Sequence, residues 1–453
     1  MERRNFLKGC AAVGLGGLVF SNRNMGVRIE GKPNVIIIFI DDLAYGELGA
    51  FGCPDIPTPH MDSLAANGVK CTNSYITNPP CCPSRCCLMT GMYPQRFGKY
   101  GMARGMPIPK YNRTMTEFMR DAGYVTGHIG KWDIGSREQG PLDRGFCQVS
   151  RKPPMVTGKH YIYTKQDGSE GFLTDLDGEY LVEFTENNKD KPFFLYYSPF
   201  AIHEPNSESP EHYRARSTAT GARRALAGNL IAVDDAVGRL LTTLRKHDLE
   251  NNTLIFLTGD NGGSLRSDCR PDPYRGGKGA GTIYEGWVHT PAIISWPGHI
   301  PKKRTYEGLM CTMDFYATAA AVTGRPLPKQ CDGKNLLPYL RGEKTGDAHG
   351  ELYWCNDDPK DAPRRWLKAM RWKQWRLVKY DDGWRLFDLK ADPREEQNLA
   401  EEHSDVVSDM RKRYDAWVAT LPAVIPWAKG DGDGGGRTPN GYGWATDADE
   451  ETL

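Results

Sequence analysis

No charge of either sign dominates this chain: 58 Lys and Arg face 57 Asp and Glu, a net +1 over 453 residues. No global field therefore draws it to nucleic acid or to an anionic membrane surface. No apolar stretch reaches the roughly 20 residues of a permanent transmembrane helix, which excludes a transporter. No internal repeat is present, which removes solenoids and propellers. The 12 Cys are too thinly spread for a disulfide scaffold. What remains is an ordinary globular composition, 39% hydrophobic and 25% charged, which excludes disordered and collagenous chains. At ~150 residues per domain the length suits about three domains, or one large α/β domain with a small companion.

The N-terminus, residues 1–24, reads as a targeting signal. Arg3-Arg4-Asn5-Phe6-Leu7-Lys8 is a twin-arginine motif, followed by a Gly- and Ala-rich apolar run from Cys10 to Phe20. It implies the twin-arginine export machinery as a partner and an exported, periplasmic or extracellular, bacterial protein. Such export carries folded proteins, which suits an enzyme modified before it leaves the cytoplasm.

Asn34-Val35-Ile36-Ile37-Ile38-Phe39-Ile40 is a nearly unbroken apolar run bounded by Pro33 and Asp41, the signature of a parallel strand buried on both faces. Similar runs recur at Tyr124–Ile129, Pro192–Ser198, Thr253–Thr258 and Pro291–Trp296, with helical patterns at His60–Asn67, Thr114–Ala122, Ala225–His247 and Thr312–Val322 between them. The alternation predicts a large, doubly wound, mostly parallel α/β domain over 32–324. Beyond Thr323-Gly324 the segments turn short, aromatic and alternating: Leu352–Trp354, Trp366–Trp372, Trp375–Tyr380 and Trp384–Leu389. They predict an antiparallel sheet, closed by a helix over Ser404–Leu421 with Ser404 as its N-cap, in a smaller domain at 325–425. Gly-Asp repeats after Lys429 mark 426–453 as a tail.

Ligands bind such sheets at the carboxyl ends of the strands. Asp41-Asp42 ends the first strand and Asp260-Asn261 follows Thr253–Thr258. Three carboxylates and an amide oxygen, with no His, favour Ca2+ or Mg2+ over Zn2+. The densest chemistry lies in Cys81-Cys82-Pro83-Ser84-Arg85-Cys86-Cys87-Leu88-Met89-Thr90-Gly91-Met92-Tyr93-Pro94. From the residues alone it reads as a disulfide or thiolate cluster, though without C-x2-C spacing. It also reads as a low-pKa nucleophile beside Arg85.

This segment resembles the maturation signature of the sulfatase family, Cys-x-Pro-Ser-Arg followed by small and apolar residues, Thr-Gly and Tyr-Pro. Cys81, Pro83, Ser84, Arg85, Thr90, Gly91, Tyr93 and Pro94 match in register. The resemblance continues through Asp41-Asp42, Gly130-Lys131-Trp132, Phe194-Leu195-Tyr196 with His203, Asp260-Asn261, Arg275-Gly276-Gly277-Lys278 with Glu285-Gly286, and Leu386-Phe387-Asp388-Leu389, covering about Lys32 to Leu421. It implies oxidation of Cys81 to formylglycine by a maturation enzyme. It also implies one Ca2+ (or Mg2+) on Asp41, Asp42, Asp260, Asn261 and the modified Cys81. Arg85, Lys131, His203 and Lys278 would neutralise the sulfate, and His203 or Lys278 would protonate the leaving alcohol. The implied substrate is a sulfated saccharide. Asp133 stands where the family commonly has His, and His289 where it commonly has Arg. A carboxylate at 133 can serve as a base, but facing sulfate at ~4 Å it would cost about 4 kcal/mol at an effective dielectric of ~20. These departures keep two alternatives open: a slow or non-catalytic binder of sulfated glycans, and a phosphodiester or phosphonate monoester hydrolase.

Overall fold

The computed structural model describes residues 19–20, 31–101, 107–134, 139–150, 153–204, 208–356 and 368–422. The twin-arginine motif, Trp366 and the 426–453 segment lie outside the described residues. Nine strands form one sheet, in the order Val19–Phe20, Gln148–Val149, Val125–Gly130, Phe193–Ser198, Asn34–Ile40, Thr253–Gly259, Ala292–Ser295, Val69–Cys71 and Arg304–Tyr306. The five from Gln148–Val149 to Thr253–Gly259 run parallel. Ala292–Ser295 departs from this pattern and pairs antiparallel with Thr253–Gly259.

The strand Asn34–Ile40 is buried throughout, and its alternation sorts two layers. Ile36, Ile38 and Ile40 join a core with Met61 and Leu64 of the helix Pro59–Ala66, and with the apolar faces of Leu173–Asn188 and Arg223–Lys246. Val35, Ile37 and Phe39 face the other way, against Leu88 and Met89 of Cys81–Thr90, Met119 of Met115–Asp121 and Phe315 of Met313–Val322. Helices on both faces hide both sides of the sheet, so its strands need no polar alternation. Thr114 caps Met115–Asp121 in a reciprocal capping box with Glu117.

The C-terminal unit is a four-stranded antiparallel meander, Glu351–Cys355, Lys368–Trp372, Trp375–Tyr380 and Gly383–Asp388, covered by the helix Ser404–Ala419. One expectation fails here: His403 is the cap position and Ser404 is the first helical residue, with no side-chain cap bond. Trp354 is fully buried and donates its indole N–H to the Ile76 carbonyl at 2.8 Å. Among the described residues no helix is long and apolar enough to cross a membrane.

Candidate active site

Four neighbouring parallel strands deliver polar residues to one edge. Asp41-Asp42 follows Asn34–Ile40 and Asp260-Asn261 follows its partner Thr253–Gly259, in a register that sets Gly259 beside Ile40. The Asp260 amide donates to the Ile40 carbonyl at 3.0 Å, and the Asp42 amide to Asp260 Oδ1 at 3.0 Å. Asp42 lies in the left-handed region at φ 60°, a conformation Asp tolerates better than most residues. The turn therefore offers two successive carboxylates to the same place. Lys131 leaves the next strand but one, with its amide on the Ser198 carbonyl at 2.7 Å. Gly130 permits this approach: at its φ of 97° a Cβ would stand 2.0 Å from the Ser198 oxygen.

Cys81 opens the helix Cys81–Thr90, and its Sγ lies 3.4 Å from Asp41 Oδ1 and 3.8 Å from Lys278 Nζ. Arg85, one turn on, is fully buried. Its guanidinium donates to Asp260 Oδ2 at 2.7 Å, to the Lys131 carbonyl and Tyr196 hydroxyl at 3.1 Å each, and to Ser198 Oγ. Lys131 Nζ donates to Asp41 Oδ2 at 2.5 Å, and Lys278 Nζ holds both Asp42 oxygens at 2.9 and 2.8 Å. His203 arrives on a loop fixed by the Ile202 amide on the Asp41 carbonyl at 3.1 Å. Its Nδ1 donates to the Glu204 carbonyl at 2.6 Å, and its Nε2 stands 4.0 Å from Asp42 Oδ2. All nine residues singled out by sequence, other than Asp133, meet here.

Asp133 shares Lys131 with Asp41: the lysine Nζ is 3.6 Å from Asp133 Oδ2 and 2.5 Å from Asp41 Oδ2. That lysine offsets the repulsion expected of a bare carboxylate. His289 is not part of the centre: it belongs with Glu285 in the joint between the two units. Tyr196 and Ser198, which fix the Arg85 fork, were missed. They look like ordinary strand residues until the neighbouring helix is placed over them.

The electrostatics follow from burial. Burial alone would push the Asp41 carboxyl up, but Lys131, His203, Arg85 and Lys278 outweigh it and hold it well below the usual range. Burial, reinforced by Asp41, pushes Asp260 up to about 7 against the pull of Arg85. His203 is depressed, chiefly by burial and despite Asp41. Burial, then Asp260 and Asp41, push the Cys81 thiol far above the ordinary cysteine range, the opposite of a low-pKa nucleophile.

Asn261 tests whether a divalent cation suits this set. Its Nδ2 donates to Asp42 Oδ1 at 2.6 Å and to the Gly262 carbonyl at 2.8 Å, while its Oδ1 is buried without a partner. An orphaned buried oxygen is costly. The ligand atoms of Asp41, Asp42, Cys81 and Asp260 lie within 4.8 Å of one another. Hard oxygens with one vacant acceptor fit Ca2+ or Mg2+. A second group, Cys311, Asp314 and His349, lacks such a vacancy. Asp314 already accepts from His349 Nε2 at 2.6 Å, the Lys334 amide at 2.7 Å and the Cys311 amide at 2.9 Å.

Fold and site define an α/β protein with a centre of paired acidic and basic side chains on the carboxyl edge of its sheet. Comparison with known proteins narrows the class. The Sulfatase family model matches residues 33–325, and the model of the N-sulphoglucosamine sulphohydrolase C-terminal region matches 280–419. Human arylsulfatase A is 32% identical over 414 residues, spanning 81% of this chain and 79% of that protein. Pig N-acetylgalactosamine-6-sulfatase is 32% identical over 377 residues, spanning 72% and 70%. The crystal structure of Ps i-CgsB, also solved with k-i-k-neocarrahexaose, superposes with a TM-score of 0.77 at 28% identity, over 87% of this chain and 94% of that one. The chain belongs to the sulfatase family and is a sulfuric ester hydrolase.

Proposed function

We propose that the protein hydrolyses sulfate monoesters on carbohydrates, with Cys81 matured to formylglycine and one divalent cation, Ca2+ before Mg2+, held by Asp41, Asp42, Asp260, Asn261 and the modified side chain. The observation that carries this reading is the convergence of Cys81 with three carboxylates, the unpartnered Asn261 oxygen and three fixed cations. The preference for carbohydrate rests on the relatives named above, one an N-acetylgalactosamine-6-sulfatase and one solved with a carrageenan-type oligosaccharide. When in place, the hydrated aldehyde supplies an oxygen nucleophile and the cation supplies positive charge for the ester oxygens.

The remaining work falls to the chain's own groups. Arg85, Lys131 and Lys278 present fixed positive charge to the sulfate oxygens in a largely buried site, where such charge acts more strongly than in water. Burial works against the charge on Lys131 and Lys278, yet their acidic neighbours keep both protonated. Lys278 and His203 stand closest to solvent, with side chains 21% and 32% exposed. Lys278 holds a proton to give to the departing sugar oxygen, and His203, depressed by burial, gives one only once protonated at Nε2. Asp133, behind Lys131, serves as a base. In this reading 32–324 is the catalytic unit and 325–425 its support. Maturation precedes twin-arginine export to the bacterial periplasm or exterior, and 1–24 is the signal.

The test is twofold. Sulfate release across defined sulfated saccharides should exceed turnover of phosphodiesters and phosphonate monoesters. The tryptic fragment Cys71–Arg85 from natively produced protein should carry an aldehyde at position 81; an intact thiol overturns the reading. Removing the cation should also register apart from activity. Chelation is expected to lower the melting temperature by several degrees, since a ligand at a hundred times its Kd stabilises by about 2.7 kcal/mol. Ca2+ should restore it, and Asn261→Ala should erase the Ca2+-dependent shift.

A further inference from the structure

The centre opens on the side of its two partly exposed residues, His203 and Lys278, and one ion pair spans that opening. Arg266 Nη1 lies 3.6 Å from Glu204 Oε1, the arginine side chain being 85% exposed. Glu204 directly follows His203, so one end of the pair belongs to the His203 wall. Arg266 belongs to the Lys278 wall. It sits in the turn Leu265–Ser267, capped by Ser264, whose oxygen accepts the Arg266 amide at 3.4 Å. The Leu265 amide donates to the Lys278 carbonyl at 3.2 Å, and the Lys278 amide to the Gly263 carbonyl at 2.9 Å. The turn is therefore pinned to the backbone carrying Lys278, whereas among the described residues the guanidinium is held by one long pair to the partly exposed Glu204. Such a pair stabilises a fold by ~1 kcal/mol or less. Leu265 beside it is among the few large apolar side chains left exposed, at 46%.

We propose that Arg266 is a specificity residue that reads a second anionic group, a sulfate or carboxylate, on the saccharide next to the sulfate being cleaved. This deepens the proposed function and rests on it. The fully buried Arg85 and the nearly buried Lys131 are tied into the centre itself and cannot reach a neighbouring group of the saccharide. Arg266 has an exposed planar fork facing the entrance, and a fork matches the two oxygens of an oxyanion. Leu265 offers an adjacent apolar surface to a sugar ring. Glu204 is the counter-ion displaced when the second anion arrives, so the pair screens out neutral extensions.

The experiment compares matured wild type, Arg266→Ala, Arg266→Lys and Glu204→Gln on three substrates: a singly sulfated neutral disaccharide, the same disaccharide with a second anionic group, and a small aryl sulfate. Wild type should favour the doubly anionic disaccharide. Arg266→Ala should raise its KM about tenfold, equivalent to ~1.4 kcal/mol, with kcat within twofold and the aryl sulfate unaffected. Arg266→Lys should recover part of the loss, and Glu204→Gln should lower the KM for the doubly anionic substrate. An equal shift on all three substrates, or none on the doubly anionic one, overturns the proposal alone. No sulfate release by wild type from any of them overturns the sulfatase reading and this proposal with it.

Discussion

Cys81→Ala is expected to reduce sulfate release at least a thousandfold while leaving the fold in place. The large loss follows from the position: a nucleophile that reacts covalently has no substitute among its neighbours, and deleting one costs orders of magnitude. Arg85, Lys131 and Lys278 would still attract the sulfate, so binding should survive better than turnover. The small structural effect follows from size. Cys81 is almost fully buried at the first turn of its helix, and losing one sulfur leaves a cavity worth about 1 kcal/mol. Cys82→Ala is the control, because Cys82 is buried in the same segment with Cys86 and Lys99 as its neighbours, whereas Cys81 meets Asp41. It should keep most activity and still yield an aldehyde in the Cys71–Arg85 fragment. Wild-type turnover in Cys81→Ala would remove this side chain from the mechanism.

Much of this centre was legible because strand runs and their terminal polar residues obey local rules. The Asn34–Ile40 run ends where its hydrophobicity ends, and a parallel sheet then forces Asp41, Lys131, Ser198 and Asp260 onto one edge. Lys278 lies at the end of a long loop, so a motif could flag it while strand order could not bring it to Asp42. The expected repulsion at Asp133 is met by Lys131, whose ammonium lies 3.6 Å from Asp133 and 2.5 Å from Asp41, a pairing that adjacency in the sequence suggests and only the structure measures. Ser404 failed as a cap because a Ser before a helical pattern fits both N-cap and first helical position, and the backbone of His403 decides between them. Buried charge pairs were the least visible feature. Periodicity reports which residues are buried, and it cannot report which buried carboxylate meets which guanidinium across a hundred residues.

The joint between the two units shows what such a pair does. Arg376→Met is expected to lower stability by about 3–5 kcal/mol, the usual consequence of breaking a buried pair by removing one partner. Arg376 is fully buried in the strand Trp375–Tyr380. Its guanidinium lies 2.7 Å from Glu285 Oε1, donates to Glu395 Oε1 at 3.0 Å and to the Ile283 carbonyl at 2.5 Å, and stacks over Trp354 at 5.0 Å. Glu285 also accepts from the Tyr75 hydroxyl at 2.8 Å and its Oε2 lies 2.9 Å from His289 Nδ1, while His289 Nε2 lies 2.9 Å from the Thr72 carbonyl and 3.5 Å from the Tyr274 hydroxyl. The methionine variant leaves Glu285 and Glu395 buried without the guanidinium they share.

The pH dependence has a definite sign. Burial pushes Glu395 up to about 7, with Arg376 pulling it down and Glu285 pushing it further up. A carboxyl raised in the folded state adds stability below its unfolded value, and that stability is lost as pH rises through the folded value. Without Arg376 the folded value climbs higher, so the deficit of Arg376→Met should be larger at pH 8 than at pH 5.5 in thermal unfolding. Adding Glu395→Gln removes the surplus charge and should recover part of the loss at pH 8. Equal deficits at both pH values, with no rescue, would mean that the arginine acts by packing alone. The loss should reach the active site as well. Glu285 opens the short helix Glu285–Val288, and the Trp287 carbonyl accepts the Gly262 amide at 2.9 Å, next to Asn261. The joint that binds the small unit to the large one also steadies the loop proposed to hold the cation, so Arg376→Met should weaken the Ca2+-dependent rise in melting temperature along with stability.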